Sequence, residues 1–252
     1  MTFSSKAYPQ WRKLRDLPRL LARAGLSLCR VCDQWCTQTL CLNCQQSHQK
    51  FMPRCRWCAL PCNTALCVTC LSIKPPWESC ACAVAYAEPW RSLIIDFKFH
   101  ENPSMAKFLS RIILANPVTY TLVHAADLLL PVPASKEKLR QRGFNPAQWL
   151  ARSMAAHKCM DQALVKLRHT LPQSGLDHAH RLSNLTNSIA VNPLTLQQLE
   201  SKHVVLIDDV MTTGSTLRTC TQALYAAGVQ RVSCVVLARA DTHSQAQSVS
   251  LD

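Results

Sequence analysis

The arrangement of cysteines constrains this chain more than any other feature of its sequence. Cys29-x2-Cys32 and Cys41-x2-Cys44 are followed by Cys55-x2-Cys58 and Cys67-x2-Cys70, so C-x2-C-x8-C-x2-C occurs twice, offset by 26 residues. Even the additional Cys36 recurs, as Cys62. Such self-similarity marks an internal duplication. A C-x2-C knuckle turns two thiolates onto one tetrahedral Zn2+, and a second knuckle closes the site with no position left for water. A module of about 16 residues has no core of its own, so metal binding must supply its folding energy. The eight cysteines are therefore candidate ligands of structural Zn2+. One ion per repeat is the simpler arrangement, though spacing alone also allows an interleaved one. Cys36 and Cys62 then read as spare buried thiols.

Composition agrees with a reduced setting. The chain has 15 cysteines among 252 residues, and its N-terminus, MTFSSKAYPQWRK, lacks the apolar centre of a signal peptide. No apolar run approaches bilayer length. The expectation is a cytoplasmic, globular protein whose thiols bind metal rather than form disulfides. Apolar residues make up 48% and charged ones 17%, and the formal charge is +13. Two zinc centres of four thiolates, each carrying −2, would lower that to about +9. Much of the excess lies early, where Lys6, Arg12, Lys13, Arg15, Arg19 and Arg23 precede the first knuckle. A basic surface of this kind serves solubility or contacts a polyanion, and the sequence leaves both open. Trp11, Leu14, Leu17, Leu20, Leu21 and Leu28 space a short amphipathic helix over Gln10–Leu28, interrupted at Pro18.

The organisation that follows is a basic extension over 1–28, two cysteine modules with their linker over 29–79, a larger domain over 80–240 and a polar tail over 241–252. Pro75-Pro76 marks the boundary. Beyond it, strand patterns at Ala83–Ala87, Asp127–Val132, Val204–Ile207 and Arg231–Leu237 alternate with helical ones at Pro89–Phe99, Ser104–Ala115, Asn145–Lys158 and Ser215–Ala227. Asn145-Pro146 supplies an N-cap and a first-turn proline, and Gly228 stops the helix before it. Alternation of this kind predicts an α/β fold with a mostly parallel sheet flanked by helices, its ligands at the carboxyl ends of the strands. Cys80 and Cys82 alternate along the first strand and read, like Cys159, Cys220 and Cys234, as small buried hydrophobes.

Chemistry concentrates in Val204–Thr216, VVLIDDVMTTGST. The five glycines of the chain can assemble neither G-x-G-x-x-G nor G-x-x-x-x-G-K. This segment nonetheless has the layout of a phosphate site: a buried strand, an acidic pair, a hydroxyl-rich turn and a helix start. Amides at Thr213–Thr216 would face an anion with the helix dipole behind them. Gly214 permits the turn, and Thr213, Ser215 and Thr216 add hydroxyl donors. Asp208 and Asp209 make sense beside a phosphate cradle when the ligand also presents hydroxyls or a metal.

On these residues Val204–Thr216 resembles the signature of type I phosphoribosyltransferases. The resemblance implies that Asp208 and Asp209 hold ribose hydroxyls, that Thr212, Thr213, Gly214, Ser215 and Thr216 hold the 5′-phosphate, and that Mg2+ bridges pyrophosphate to ribose. The order of motifs narrows it: cysteine knuckles, PWRSLIIDFKF (Pro89–Phe99), PVPASKEKLRQRGFN (Pro131–Asn145), QSGLDHAHRLSN (Gln173–Asn184) and the terminal loop. Together, over about residues 28–239, they resemble the bacterial ComF family, ComFC and GntX included. The fold so implied is a type I phosphoribosyltransferase domain preceded by a small double zinc ribbon.

By position, Lys138, Arg140, Arg142 and Gly143, with Lys136, resemble the transferases' pyrophosphate loop, where cations neutralise the leaving group. Lys98 reads as a surface lysine within reach of a phosphate. Gln173–Asn184, with Arg181 and Asn184 on one helical face, would correspond to the hood over an acceptor, but no residue there identifies one. The family resemblance implies binding of phosphoribosyl pyrophosphate with Mg2+ and a role in DNA uptake or utilisation, with single-stranded DNA or uptake proteins as partners. An active transferase with an unidentified acceptor is the competing expectation. An aspartyl-phosphate receiver domain also clusters acids at strand ends, but it gains nothing from TTGST and leaves RGFN unexplained.

Overall fold

The computed structural model describes residues 26–99, 102–166 and 189–241. Two compact units divide the chain, Met1–Gln49 and Lys50–Asp252, and one cysteine quartet lies in each. The amphipathic helix expected over Gln10–Leu28 falls outside the described residues except at its end. There Ser27–Leu28 forms a short strand (β1) rather than helix, because it pairs with Trp35–Cys36 (β2) across the first knuckle.

The first unit continues into helix α1, Leu42–His48, whose N-cap is Cys41 of the first quartet. Among its described residues only Cys29, Leu40 and Cys44 are buried hydrophobes. Three such side chains cannot offset the conformational entropy of ordering a loop-rich segment. The second repeat reproduces the geometry, with Cys67 as N-cap of α2, Val68–Ser72. Here the knuckle is joined to the larger unit: Cys55 and Ala59 are buried, and the Cys80 N–H bonds to the Arg56 carbonyl at 2.8 Å.

The larger unit is built on a four-stranded, fully parallel sheet. Its strands are β3 (Ser79–Ala85), β4 (Leu128–Pro131), β7 (His203–Met211) and β8 (Arg231–Arg239), in spatial order β3-β8-β7-β4. β7 and β8 occupy the centre and are buried along most of their length, which is why both read as near-continuous apolar runs. Cys80, Cys82, Val204, Leu206, Cys234 and Val236 share one face with Leu217, Cys220 and Leu224 of α9 (Ser215–Ala226), so Cys80 and Cys82 are core residues as their alternation predicted. The remaining helices are α3 (Trp90–Phe99), α4 (Pro103–Ala115), α5 (Pro117–Ala125), α6 (Lys136–Arg142), α7 (Pro146–Ala155) and α8 (Leu196–Leu199). A hairpin, β5 (Leu164–Lys166) with β6 (Ile189–Val191), completes the unit. None of the helices among the described residues is long and apolar enough to cross a membrane.

Asparagine–proline pairs punctuate the helices. Asn102, Asn116 and Asn145 each cap a following helix through the side-chain oxygen, with proline at the first position. The sequence pattern above uses only the third of these pairs, and α5 emerges only in the structure.

Stripping metal with a chelator should therefore disorder residues 26–49 while the parallel sheet survives. Amide hydrogen exchange would show protection lost at Cys29–His48 and retained through Val204–Ile207. Equal loss in both segments would contradict the separate dependence of the first unit on its metal.

Candidate functional site

In each cysteine quartet, the four sulfur atoms lie within 4.8 Å of one another, Cys29, Cys32, Cys41 and Cys44 in one and Cys55, Cys58, Cys67 and Cys70 in the other. Tetrahedral coordination at about 2.3 Å per sulfur requires S–S edges of about 3.8 Å. Cys32–Cys41 and Cys58–Cys67 are 3.7 and 3.6 Å apart. The quartets follow the repeats and are not interleaved, so one metal per repeat fits. Cys36 and Cys62 stand outside both, as expected, but they are half-buried rather than buried: their thiols bond locally near Gln38 and Thr64. Within a quartet the thiols do not ionise alike. Desolvation works to raise Cys55, but the amides of Cys67, Trp57 and Cys58 outweigh it and bring it down to about 7. Cys70 is driven upward, by desolvation first and then by its neighbours' sulfurs. Four thiolates this close need a cation to be ionised together.

The second centre of chemistry lies at the carboxyl end of β7. The strand continues through the acidic pair to Met211, so Asp208 and Asp209 are strand residues pointing to opposite faces of the sheet rather than the start of the turn. The Asp209 N–H bonds to Asp208 Oδ1 at 2.9 Å, and the Val210 N–H to Asp209 Oδ1 at 2.7 Å. Asp209 Oδ2 meets Lys98 Nζ of α3 at 3.1 Å, with both side chains largely shielded. Lys98 is thus an acid-pair partner, not the surface lysine that its position suggested. Asp208 is pushed up to about 8, by burial first and by the Asp209 charge second, with Lys98 and Lys138 opposing.

Asp208, Val210–Met211 and the turn Thr212–Leu217 line a cradle of about 30 Å³. Gly214 adopts φ +78°, and a Cβ there would lie 2.6 Å from Met211 Cε and 3.3 Å from Trp77 Cη2. Gly214 offers α9 no side-chain cap, and although the Ser215 N–H donates to Thr213 Oγ1 at 3.3 Å, the amides that follow in its first turn can face an anion. The Thr213 hydroxyl donates to Ser215 Oγ at 3.2 Å, drawing both hydroxyls to the cradle rim. Asp208 and Thr212–Thr216 are therefore together, while Asp209 is held beside them by Lys98 and does not line the cradle.

The basic segment expected as an open loop is instead helix α6. Ser135 caps it, KEKLRQR favours helix throughout, and Gly143 at φ +78° closes it by donating its N–H to the Leu139 carbonyl. The following residues explain RGFN. The Arg142 guanidinium lies 5.6 Å over the Phe99 ring; Phe144 is buried against Phe97; Asn145 caps α7 and donates to the Val132 carbonyl. Lys138 and Arg140 are exposed, and Arg142 Nε is buried with no hydrogen-bond partner among the described residues. Gln173–Asn184, including Arg181 and Asn184, lies outside the described residues.

Sequence reasoning overlooked Trp77 and Arg239 beside this site. Both are buried, and an arginine closing an apolar strand was the signal available for the second.

A family model described as a phosphoribosyl transferase domain matches residues 140–250, which include the acidic pair and the cradle. Competence protein F of Haemophilus influenzae is 29% identical over 209 residues, spanning 80% of this chain and 90% of that protein. DNA utilization protein YhgH of Escherichia coli K12 is 29% identical over 225 residues, spanning 84% and 95%. Competence protein ComFC of Bacillus subtilis is 32% identical over 105 residues, 40% of this chain and 39% of that one. Parallel sheet, acidic strand end and glycine turn define a protein with a phosphoribosyltransferase domain. With its paired cysteine quartets, the chain is similar over at least four fifths of its length to these competence and DNA utilization proteins.

Two measurements follow. Unfolded, the Asp208 carboxyl titrates near 3.8, so from about pH 4 to 8 the folded protein holds an extra proton and loses stability as pH rises. In urea unfolding, the stability gained by Asp208→Asn should widen over that interval and level off above it; an equal difference at pH 5 and pH 8.5 would contradict the raised pKa. Gly214→Ala should cost about 1–2 kcal/mol for the left-handed backbone, and an unchanged midpoint would rule out the strained turn.

Proposed function

We propose that this protein binds phosphoribosyl pyrophosphate with Mg2+ at the end of β7 and works in the uptake or utilisation of external DNA, with Zn2+ in both cysteine quartets. The observation that carries the proposal is the joining of Asp208 to the Thr212–Thr216 cradle in one small cavity. Uncapped amides and hydroxyls suit the 5′-phosphate, and the carboxylate next to them suits ribose hydroxyls. Asp209 is the second ribose acid, reached once Lys98 exchanges its carboxylate for ligand phosphate.

The pyrophosphate is assigned to Lys138, Arg140, Arg142 and Gly143. Lys138 already acts on the ionisation of Asp208, and the buried Arg142 Nε has a donor to offer. Mg2+ would be held by the ligand's own oxygens beside Asp208 and Asp209, and such hard oxygen donors fit it. The metal supplies charge neutralisation for the pyrophosphate; the chain's own groups orient the ribose and the phosphates. All-thiolate quartets with no open position suit Zn2+ in a structural role.

The DNA role rests on the names of the relatives and on the basic charge of +13. Contacts to single-stranded DNA would fall on Arg12, Lys13 and Arg15, and a protein of the uptake machinery is the other partner class.

Calorimetric titration with phosphoribosyl pyrophosphate and Mg2+ should give one site per chain. Asp208→Ala/Asp209→Ala should weaken it at least tenfold, about 1.4 kcal/mol. Absence of binding to the parent protein would remove the proposal. Single-stranded DNA binding should fall steeply with salt and weaken in Arg12→Ala/Lys13→Ala/Arg15→Ala; salt-independent binding would argue against direct contact with the DNA backbone.

A further inference from the structure

Three consecutive backbone carbonyls in the second knuckle are each held by a different side chain. The Trp77 indole donates to the Trp57 carbonyl at 2.6 Å, Arg239 Nε to the Cys58 carbonyl at 2.8 Å, and Arg54 Nη1 to the Ala59 carbonyl at 2.8 Å. Two of these three side chains also reach the phosphate cradle. From the far side of its guanidinium, Arg239 Nη1 donates to the Met211 carbonyl at 3.0 Å and to the carbonyls of Thr212 and Ala240. Trp77 lies 3.3 Å from the point a Gly214 Cβ would occupy, and Arg218 of α9 sits over its ring at 6.0 Å.

Arg239 is a full cation at 4% exposure. A buried charge of this kind costs free energy unless its donors are satisfied. Here the planar fork meets carbonyls from two segments that are remote in sequence, the knuckle and the strand–turn junction leading to Gly214. The carbonyl it takes from the knuckle belongs to a cysteine of the quartet, so the path of that carbonyl depends on the thiolates being gathered. Ala59, the next residue, has φ 58° and is fully buried in the sheet core, which leaves this turn little room to drift.

We propose that Arg239 is a positioning residue for the phosphoribosyl site: with Trp77 it transmits the geometry of the Cys55–Cys58–Cys67–Cys70 centre to Met211–Gly214 and keeps the cradle in its ligand-ready form. This rests on the cradle being the phosphate subsite, as assigned above. It makes the second cysteine centre part of the ligand site's support rather than an independent appendage. Loss of its metal would then be felt as a loosened cradle.

The test compares the full-length parent with Arg239→Met, Arg239→Lys and Trp77→Phe, each with its zinc content measured. Hydrogen exchange is read separately for the Arg218 and Ala240 amides, which donate to the Gly214 and Met211 carbonyls of the cradle, and for the β7–β8 core, and ribose 5-phosphate affinity is read by calorimetry. Arg239→Met should raise exchange at Arg218 and Ala240 at least fivefold with the Val204–Ile207 amides unchanged, and should weaken ribose 5-phosphate at least tenfold. Arg239→Lys keeps the charge without the fork and should fall between the two. Trp77→Phe loses both the Trp57 bond and the outer ring that lies beside Gly214, and should loosen the same amides to a smaller degree. A general loss of stability would instead raise exchange across the sheet, and that result overturns the proposal. So does an unchanged cradle in Arg239→Met or in Trp77→Phe, or an Arg239→Lys variant indistinguishable from the parent.

Cys70→Ser, having lost one zinc equivalent, should show the same local loosening; a fully protected cradle in that variant overturns the link to the metal centre. If the parent itself does not bind ribose 5-phosphate, the phosphate assignment fails, while the exchange measurements still decide whether Arg239 and the knuckle hold the turn.

Discussion

Two adjacent carboxylates at the end of a buried parallel strand are the constraint around which the rest of this protein is arranged. Apolar β7 carries them to the rim of the sheet, where Asp208 and Asp209 face opposite sides. Burial makes the Asp208 carboxyl costly to ionise, and the Asp209 charge adds to that cost. The surroundings answer on both faces. Lys98 comes from α3 to Asp209, and α6 brings a row of basic residues to the neighbouring strand end, from which Lys138 acts on Asp208. A ligand with hydroxyls, phosphates and a divalent cation would relieve the pair more completely than the protein does alone.

The glycine turn depends on the same strand end. Gly214 favours glycine because its backbone is left-handed and because Met211 and Trp77 crowd the space where a side chain would go. Trp77 belongs to the segment between the second knuckle and the sheet, and Arg239 ends the strand beside β7. The cysteine repeat has therefore diverged in use. The first copy lies in its own small unit, which holds few buried hydrophobes among its described residues, so a metal ion would be its main source of stability. The second copy lies in the unit of the parallel sheet and shares its core through Ala59. Duplication supplied the same cysteine quartet twice, and only the second is built into the core of the sheet.

Much of this could be read from the residues. Spacing picked out the eight knuckle cysteines, because C-x2-C geometry is local, but it left open how they pair into quartets. Continuous apolar runs located the central strands, because a sheet covered on both faces must be apolar on both. The cradle was legible because strand, acids, turn and helix are contiguous. What escaped was set by tertiary contact. Whether KEKLRQRG is a loop or a helix depends on the Ser135 cap and the Gly143 backbone, and its resemblance to a loop pointed the wrong way. Lys98 could not be distinguished from a solvated lysine, since its partner lies more than a hundred residues away. Arg239 joins three regions of the chain, and no local pattern encodes such a junction.

The central claim, that the end of β7 with its glycine turn is the phosphoribosyl site, is tested most directly by mapping amide chemical shifts during titration with phosphoribosyl pyrophosphate and Mg2+. The account predicts saturable shifts concentrated at Asp208–Leu217, accompanied by Lys98 and Arg142, with the cysteine quartets keeping their metals. Saturable shifts elsewhere, with Asp208–Leu217 unmoved, would contradict it.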